Sequence, residues 1–398
     1  VITAHKIEIK PNNKQANFLL RSCGTARYAY NMALDLWNKE YLSGNKPTAN
    51  SIDKEMNKIK PKWCYEVSKC CVQSSIIDLG KAFSNFFKNK HFKPPTFKKK
   101  GQKDSFRLNN EHFKINNKKL KIAKLDTKIK LTEKLRFEGK LLFCTISRKA
   151  NKWFASINIE VEDLPKKPMN QEPRFIGVDL GLKTLAVTSE GVIYDNLKPH
   201  KNKLQKLRRL NKSLSRKVLG SQNFKKAKVK LGLLHYKIAN IRKDYLHKVT
   251  SDLVKGHDVI TIEDLNVLGM SKNRKLSRSI LDASFGIFKT LLEYKCQRKN
   301  VILVKANRFY PSTKTCSKCG SIQEIKLNER TYACSKCNMV IDRDYNASIN
   351  LNNYGKNYIA GLATKVCGLE SSDSGDRVKL SKMKQKSNIK ANTVFNRN

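Results

Sequence analysis

Residues 5–10, His-Lys-Ile-Glu-Ile-Lys, alternate apolar and polar side chains and predict one strand ending at Pro11. The period then changes. Phe18, Arg21-Ser22-Cys23, Ala26, Tyr30, Ala33, Trp37 and Tyr41 recur at three- and four-residue steps, which predicts a long helix with one apolar face. Ser43-Gly44-Asn45-Lys46-Pro47 ends it, and a second helix is expected from about Glu66 to Lys88, with Cys70, Ile77, Phe83, Phe86 and Phe87 inward. This aromatic stripe reads as core and not as a stacking platform. From Lys88 to Arg107 the periodicity is lost, and Phe92, Phe97 and Phe106 stand among lysines around Pro94-Pro95. Two readings stay open there. The lysines contact phosphate while the rings stack on bases, or the segment is a solvated linker pinned to the core by its phenylalanines.

Residues 112–161 alternate again in short runs; the clearest hairpin joins 143–147 to 153–161 across a turn at Ala150-Asn151. These runs predict a small antiparallel barrel that the first strand joins. Prolines 165, 168 and 173 mark a boundary. Beyond it, Phe175-Ile-Gly-Val-Asp179 is a buried strand with an aspartate at its end, and Thr184–Thr188 returns as a second. Val259–Ile262 is another strand, followed by Glu263-Asp264. A basic helical segment, 272–299, leads to a strand at Val301–Val304, and a last helix is expected from Asn346. The final forty residues are polar, rich in Ser, Asn and Lys, and are expected to be disordered.

Charge changes the picture most between Asn196 and Lys243. Sixteen lysines and arginines lie there without one acidic residue. Leu204, Leu207, Leu210 and Leu214 stripe one helix, and Leu234, Ile238, Ile241, Tyr245 and Val249 stripe the next. So uncompensated a run reads as a nucleic-acid track in preference to a solvated face, with Arg208, Arg209, Lys212 and Arg216 as phosphate contacts. The whole chain agrees: 81 Lys and Arg against 33 Asp and Glu leave +48, which calls for a polyanionic partner. A ribosomal- or chromatin-type binder is the bland alternative. At 398 residues there is room for two or three domains. No stretch approaches the roughly twenty apolar residues of a membrane span, and residues 1–5 lack a secretory pattern, so no membrane partner is expected. Eleven cysteines, seven of them irregularly spaced, suit a reducing cytosol.

The other four cysteines carry chemistry. Cys316-Ser-Lys-Cys319 and Cys334-Ser-Lys-Cys337 are two knuckles fourteen residues apart, a spacing that favours one closed, structural Zn²⁺ site over a disulfide pair or four unrelated buried thiols. Asp342-Arg-Asp344 follows directly. With Asp179 and Glu263 this makes three acids at element ends in a basic chain, a set that suits two-metal phosphodiester cleavage with Mg²⁺. Each acid alone could be a turn residue; the joint pattern matches an RNase H-like sheet.

Four stretches carry a family resemblance: Gly177-Val-Asp179-Leu-Gly-Leu-Lys183, Ile262-Glu263-Asp264-Leu-Asn266-Val-Leu-Gly-Met270, Tyr310-Pro-Ser312-Thr-Lys-Thr-Cys316 and Asp342-Arg-Asp344-Tyr-Asn346-Ala347. They resemble the three RuvC motifs and zinc ribbon of TnpB, the OrfB-type protein of insertion-sequence transposons and a relative of small type V CRISPR effectors. Arg27-Tyr-Ala-Tyr-Asn31 and Ala82-Phe-Ser-Asn-Phe86-Phe87 resemble its amino-terminal half, so the likeness spans nearly the whole chain.

The resemblance implies a multidomain α+β and α/β protein. A wedge β-barrel would comprise residues 1–10 and about 90–172, with a helical recognition lobe at 11–89 inserted in it. An RNase H-like RuvC domain at 173–358 would carry the zinc ribbon at about 312–340, leaving 359–398 as a tail. It implies an RNA-guided DNA endonuclease in a prokaryotic cytoplasm, using a guide RNA from the transposon end and double-stranded target DNA next to a short adjacent motif. Asp179, Glu263 and Asp344 would hold Mg²⁺, two ions by the two-metal scheme, with Asp342 the less favoured third acid. Family members read the adjacent motif partly with a Lys and a Gln one turn apart, a spacing shared by Lys69 and Gln73. Ser348 and Asn338 depart from the pattern, standing where alanine and glycine are common. The alternatives are a type V CRISPR effector with the same chemistry, a cleavage-deficient RNA-guided repressor, which the intact acids disfavour, and a strand-transfer transposase. The oligomeric state stays open.

Overall fold

The computed structural model describes residues 1–89, 91–162, 172–326 and 329–367, and the chain divides near residue 164 into two compact units. The first unit opens with β1 (Ile2–Lys10) and the 30-residue α1 (Asn13–Leu42). Asn12 starts α1 as a capping box: its Oδ1 accepts from the Gln15 amide at 2.9 Å, and its own amide donates to Gln15 Oε1 at 3.0 Å. Next come α2 (Ala49–Ile59) and α3 (Cys70–Lys88), which follows a 3₁₀ turn at Lys62–Glu66. Six strands complete the unit: β2 (Ser105–Asn109), β3 (Phe113–Asn116), β4 (Lys119–Ile122), β5 (Ile129–Leu131), β6 (Lys140–Lys149) and β7 (Lys152–Glu160).

The seven strands form one sheet in the order β2-β6-β7-β1-β5-β4-β3. Its two edges, β2 and β3, are neighbours in sequence joined only by Asn110–His112, so the sheet must roll until its edges nearly meet. The first strand sits at the centre, with Ile9 opposite both Trp153 and Leu131. The β6–β7 hairpin turns through Ala150 and Asn151, both left-handed (φ 50° and 63°), as the twist of a two-residue hairpin demands.

The helices depart from expectation in several places: Tyr41, at the end of the α1 stripe, is exposed, α3 starts at Cys70 and not Glu66, and the segment expected at 272–299 breaks at Ser284. Helix α2 is additional to the two expected, because only Ile52 and Met56 face inward, too few to declare a period. In α3 the buried face is Cys70, Cys71, Val72, Ile76, Leu79 and Phe83; Ile77 and Phe87 point outward at 46% and 63% exposure. The stripe is nonetheless core where it matters: Trp37 and Phe83 stack with centroids 4.6 Å apart. The lysine-rich segment divides between its two readings. Phe106 is buried in β2, whereas Phe92 and Phe97 are half exposed.

The second unit is built on a sheet ordered β10-β9-β8-β11-β12: β8 (Phe175–Leu180), β9 (Thr184–Thr188), β10 (Ile193–Asp195), β11 (Val259–Glu263) and β12 (Ile302–Ala306). The first three are antiparallel, while β11 and β12 run parallel to β8. Between β10 and β11 lie α4 (Pro199–Asn202), α5 (Leu204–Ser215) and the 35-residue α6 (Gln222–Gly256). Between β11 and β12 lie α7 (Val267–Ser271), α8 (Ser277–Ala283) and α9 (Phe285–Lys299). A small hairpin, β13 (Thr331–Ala333) with β14 (Val340–Asp342), runs directly into α10 (Arg343–Cys367). That helix begins three residues before the expected Asn346 and continues past the expected tail boundary at 359; the rest of that tail lies outside the described residues, as does most of the proline-marked boundary. No helix among the described residues is long and apolar enough to cross a membrane.

The two faces of this sheet have different partners. Ile176, Val178, Ile260 and Ile262 join a core with Leu246, Val249 and Leu253 of α6 and Phe288 and Leu292 of α9. The alternate positions, Gly177 and Thr261, lie opposite each other and meet α10. A methyl on Gly177 would fall 2.0 Å from the Ser348 carbonyl oxygen, and one on Gly355 would fall 2.0 Å from Thr261 Oγ1. Helix and sheet therefore touch backbone to backbone. Gly177→Ala is expected to lower the unfolding free energy by about 1–3 kcal/mol or more, because backbone cannot give way as a side chain can. Gly286→Ala, on α9 with nothing within 4 Å, is the control and should be neutral or slightly stabilising. Denaturant midpoints of the two variants check this.

Candidate active site and metal centre

Asp179, near the end of β8, and Glu263, the last residue of β11, share side-chain parity with Gly177 and Thr261. Both acids therefore belong to the face that α10 covers. Asp179 is only 7% exposed. Burial, and after it the charges of Glu263 and Asp344, push its carboxyl well above the usual carboxylate range, with Arg343 opposing them. Glu263 is also raised by burial, partly offset by the Ser312 hydroxyl, which donates to its Oε1 at 2.5 Å. Buried acids facing further acids are stable as anions only beside a cation.

Asp344 is the second residue of α10, with Arg330 Nη1 and Arg343 Nε each 3.6 Å from its carboxylate. Asp342 has a different duty. Its Oδ1 accepts the amides of Asp344 (2.9 Å) and Tyr345 (3.0 Å), capping the helix, so that carboxylate is already engaged. Asp264, beside Glu263, pairs with Lys289 at 2.7 Å and Arg308 at 3.0 Å, and the Lys289 hydrogen bond leads in holding it below the usual range.

The four cysteines come together more tightly. Their sulfurs all lie within 4.8 Å of one another, the one such donor group among the described residues. Cys316 Sγ is 3.6 Å from Cys337 Sγ, and Cys319 Sγ is 3.6 Å from Cys334 Sγ. A tetrahedral ion with Zn–S of about 2.3 Å separates its sulfurs by about 3.8 Å, so the set fits one Zn²⁺ with no open position. The two knuckles are built alike. The Cys316 amide donates to the Ser321 carbonyl and the Gly320 amide to that of Cys316; the Cys334 amide donates to Met339 and the Asn338 amide to Cys334. Gly320 and Asn338 occupy the same left-handed position, at φ 74° and 58°. Asparagine tolerates that region, which explains how the second knuckle closes without glycine.

The residues linking the cysteines to the acids follow no hydropathy pattern. Asn346 is fully buried: its Nδ2 donates to the Thr315 carbonyl at 2.8 Å, and its Oδ1 accepts the Ser317 amide at 3.0 Å. One turn later, Asn350 Nδ2 donates to the carbonyls of Ser312 (2.8 Å) and Thr315 (2.6 Å). Two asparagines of α10 thus hold the loop that bears Ser312 and Cys316. An i, i+4 asparagine pair inside a helix was the available signal, since interior asparagine is unfavourable without such a use. Ser348 is accommodated too, its hydroxyl donating to the Tyr345 carbonyl at 2.7 Å.

The nucleic-acid candidates lie elsewhere. Lys69 immediately precedes α3 and Gln73 lies one turn on; both are exposed and line a cleft of about 350 Å³ with Tyr65, His112 and Lys124. Arg208, Arg209, Lys212 and Arg216 are exposed on or just after α5, opposite the stripe by which Leu207 meets Leu234 and Ile238 of α6.

Models of known families match three stretches of the chain. A model described as "Probable transposase" matches residues 156–274, and one described as "Cas12f1-like, TNB domain" matches 285–351. A "Helix-turn-helix domain" model matches 1–46, where the structure has β1 and the single helix α1. A relative from Escherichia coli (strain K12), named "Putative RNA-guided DNA endonuclease InsQ", is 31% identical over 92% of this chain and 94% of its own. A "Putative RNA-guided DNA endonuclease" from Streptomyces pristinaespiralis is 32% identical over 92% and 90%. A solved cryo-EM structure of a Cas12f1-sgRNA-target DNA complex aligns over 89% of this chain and 99% of that chain at 16% identity; its TM-score of 0.35 is too low to imply a shared fold.

Metal analysis of the purified protein is expected to give one zinc per chain. Cys334→Ser should lose it and expose residues 312–340 to protease, whereas Asn338→Gly should keep the metal and fold.

Proposed function

This chain belongs to the TnpB family, and we propose that it is an RNA-guided, Mg²⁺-dependent DNA endonuclease cutting target DNA beside a short adjacent motif at a single RuvC site. The observation that carries the proposal is the burial of Asp179 on the face shared by Glu263 and α10, with the Asp344 charge acting on it. The names of the InsQ-type relatives support the RNA-guided reading.

The donor set is oxygen-only, which suits hard Mg²⁺. At such a site a pair of these ions supplies an activated water and stabilisation of the leaving oxygen. Asp179, Glu263 and Asp344 would hold the metal. Ser312 orients Glu263, and Asp342 fixes the first turn of α10 so that Asp344 is presented in one direction. The cysteine quartet would hold one structural Zn²⁺ and steady the hairpin feeding α10. In domain terms we assign 1–10 and about 90–172 to the wedge barrel, 11–89 to target recognition with Lys69 and Gln73 at the adjacent motif, and residues from 173 through α10 to RuvC. A transposon-end guide RNA and double-stranded target DNA would be the partners.

Asp179→Ala and Asp344→Ala should leave folding and RNA binding nearly intact and lower guided cleavage by orders of magnitude. Asp342→Ala should cost about 0.5–2 kcal/mol of stability by removing the cap and reduce cleavage less. Cleavage assays on guide-loaded protein decide it: cutting that survives Asp344→Ala and is abolished by Asp342→Ala reassigns the third ligand, and cutting in excess chelator refutes the metal mechanism.

The α5 track gives a separate expectation. Replacing Arg208, Arg209, Lys212 and Arg216 together should weaken guide or heteroduplex binding. The slope of log K against log salt should fall by ~0.9 for each duplex phosphate that the variant no longer neutralises. An unchanged slope in a salt titration would mean the face is merely solvated.

A further inference from the structure

The lysine-rich segment after α3 is held against α1 by a motif that the catalytic reading leaves unused. Asn31 makes a two-sided clamp on one residue: its Nδ2 donates to the Lys98 carbonyl at 3.1 Å, and its Oδ1 accepts the Lys98 amide at 2.8 Å. The Lys98 ammonium lies 3.6 Å over the Tyr30 ring, and burial lowers its pKa. Arg27 Nη1 stands 3.6 Å from Asp104 Oδ1, a second anchor six residues further along. The segment is thus a fastened strap and not a loose linker.

Phe97 immediately precedes the clamped residue, and it is 55% exposed. Its ring borders an open cleft of about 440 Å³ whose other walls are Gly24, Arg27, Tyr28, Asn31, Met32 and Asp35 of α1. The volume lies in the range of about 300–1,000 Å³ usual for small-molecule-sized sites. The walls combine aromatic faces, a thioether, a guanidinium and a carboxylate, which is the chemistry of a flat π-system with a polar edge. In the chain, Phe97 is flanked by Lys93, Lys98, Lys99, Lys100 and Lys103, with Asp104 the lone acid between residues 88 and 104. A duplex hides its base faces in the stack, so a phenyl ring gains little from it, whereas an unpaired base offers both faces.

We propose that the Phe97 cleft binds an unpaired base of single-stranded nucleic acid, with the neighbouring lysines on the flanking phosphates. The inference rests on the nucleic-acid partnership proposed above but not on the cleavage chemistry, because the strap needs no metal. Its ligand has two sources, a guide RNA or an unwound DNA strand.

The test measures binding by the full chain, using fluorescein-labelled 15-nucleotide oligouridine RNA and oligothymidine DNA, read by anisotropy across a salt series. Stacking on one aromatic is worth about 1–3 kcal/mol per base, so Phe97→Ala should weaken binding by about 5- to 150-fold with the salt slope unchanged. Phe97→Tyr should bind like the native chain. Lys99→Ala with Lys100→Ala should instead lower the slope, by ~0.7 for each single-strand phosphate left without its lysine. Weakening confined to the RNA arm assigns the guide, weakening confined to the DNA arm assigns the unwound strand, and weakening in both supports a general single-strand site. Should Phe97→Ala lower the thermal midpoint, Phe97→Leu decides, since it keeps apolar volume and lacks the ring. Native-like binding by whichever variant is folded overturns the inference alone. A native chain that binds neither oligomer overturns it together with the nucleic-acid reading.

Discussion

Everything in the carboxylate site depends on how closely α10 can approach its sheet. A helix resting on ordinary side chains is held off the strands by the length of those side chains. Here Gly177 and Gly355 remove the intervening atoms, and the helix backbone settles onto β8 and β11. That approach brings the first turn of α10 to the end of the strands from which Asp179 and Glu263 project. It also explains why glycine stands two residues before the first acid: a strand alternates, so the position that must be empty for the helix and the position that must carry a carboxylate fall on one face.

The same helix organises the cysteine module. Asn346 and Asn350 reach back to the loop at residues 312–317, and β14 passes into α10 without a connector. Cysteine-bearing loop, serine on Glu263 and the first turn of α10 are thereby one mechanical piece. Asp342 and Asp344, two residues apart, divide the work between holding backbone and presenting charge.

Much of this was legible in the residues. The cysteine knuckles announce themselves because metal ligation permits few spacings, and the strand-end acids stand out in a chain of +48. Apolar alternation located the central strands because they are buried. The failures have physical causes. Helix α2 buries two side chains, below what a period can show. In α3 the misplaced residues are Ile77 and Phe87: the inward face includes Ser74 and Ser75, with Ser75 bonded to a helix carbonyl at 2.8 Å, so hydropathy alone placed only part of the face. The seat of α10 was illegible because it consists of missing atoms, and the asparagine clamps because polar core residues carry no periodicity.

The hairpin of α5 with the first half of α6 has a further consequence. Its own core is Leu207, Leu234 and Ile238, with Leu210 and Leu231 at the margin, and it must hold together cations with no acid between residues 196 and 243. Coulomb repulsion works against so small a core, and dissolved ions screen that repulsion between charges more than about 10 Å apart at 0.1 M. Ionic strength therefore acts on this arm in two opposed ways. It firms the hairpin, and it weakens the attraction of its cations for any polyanion. The arm is at its least settled in dilute buffer without nucleic acid, the condition in which its affinity for a polyanion is greatest.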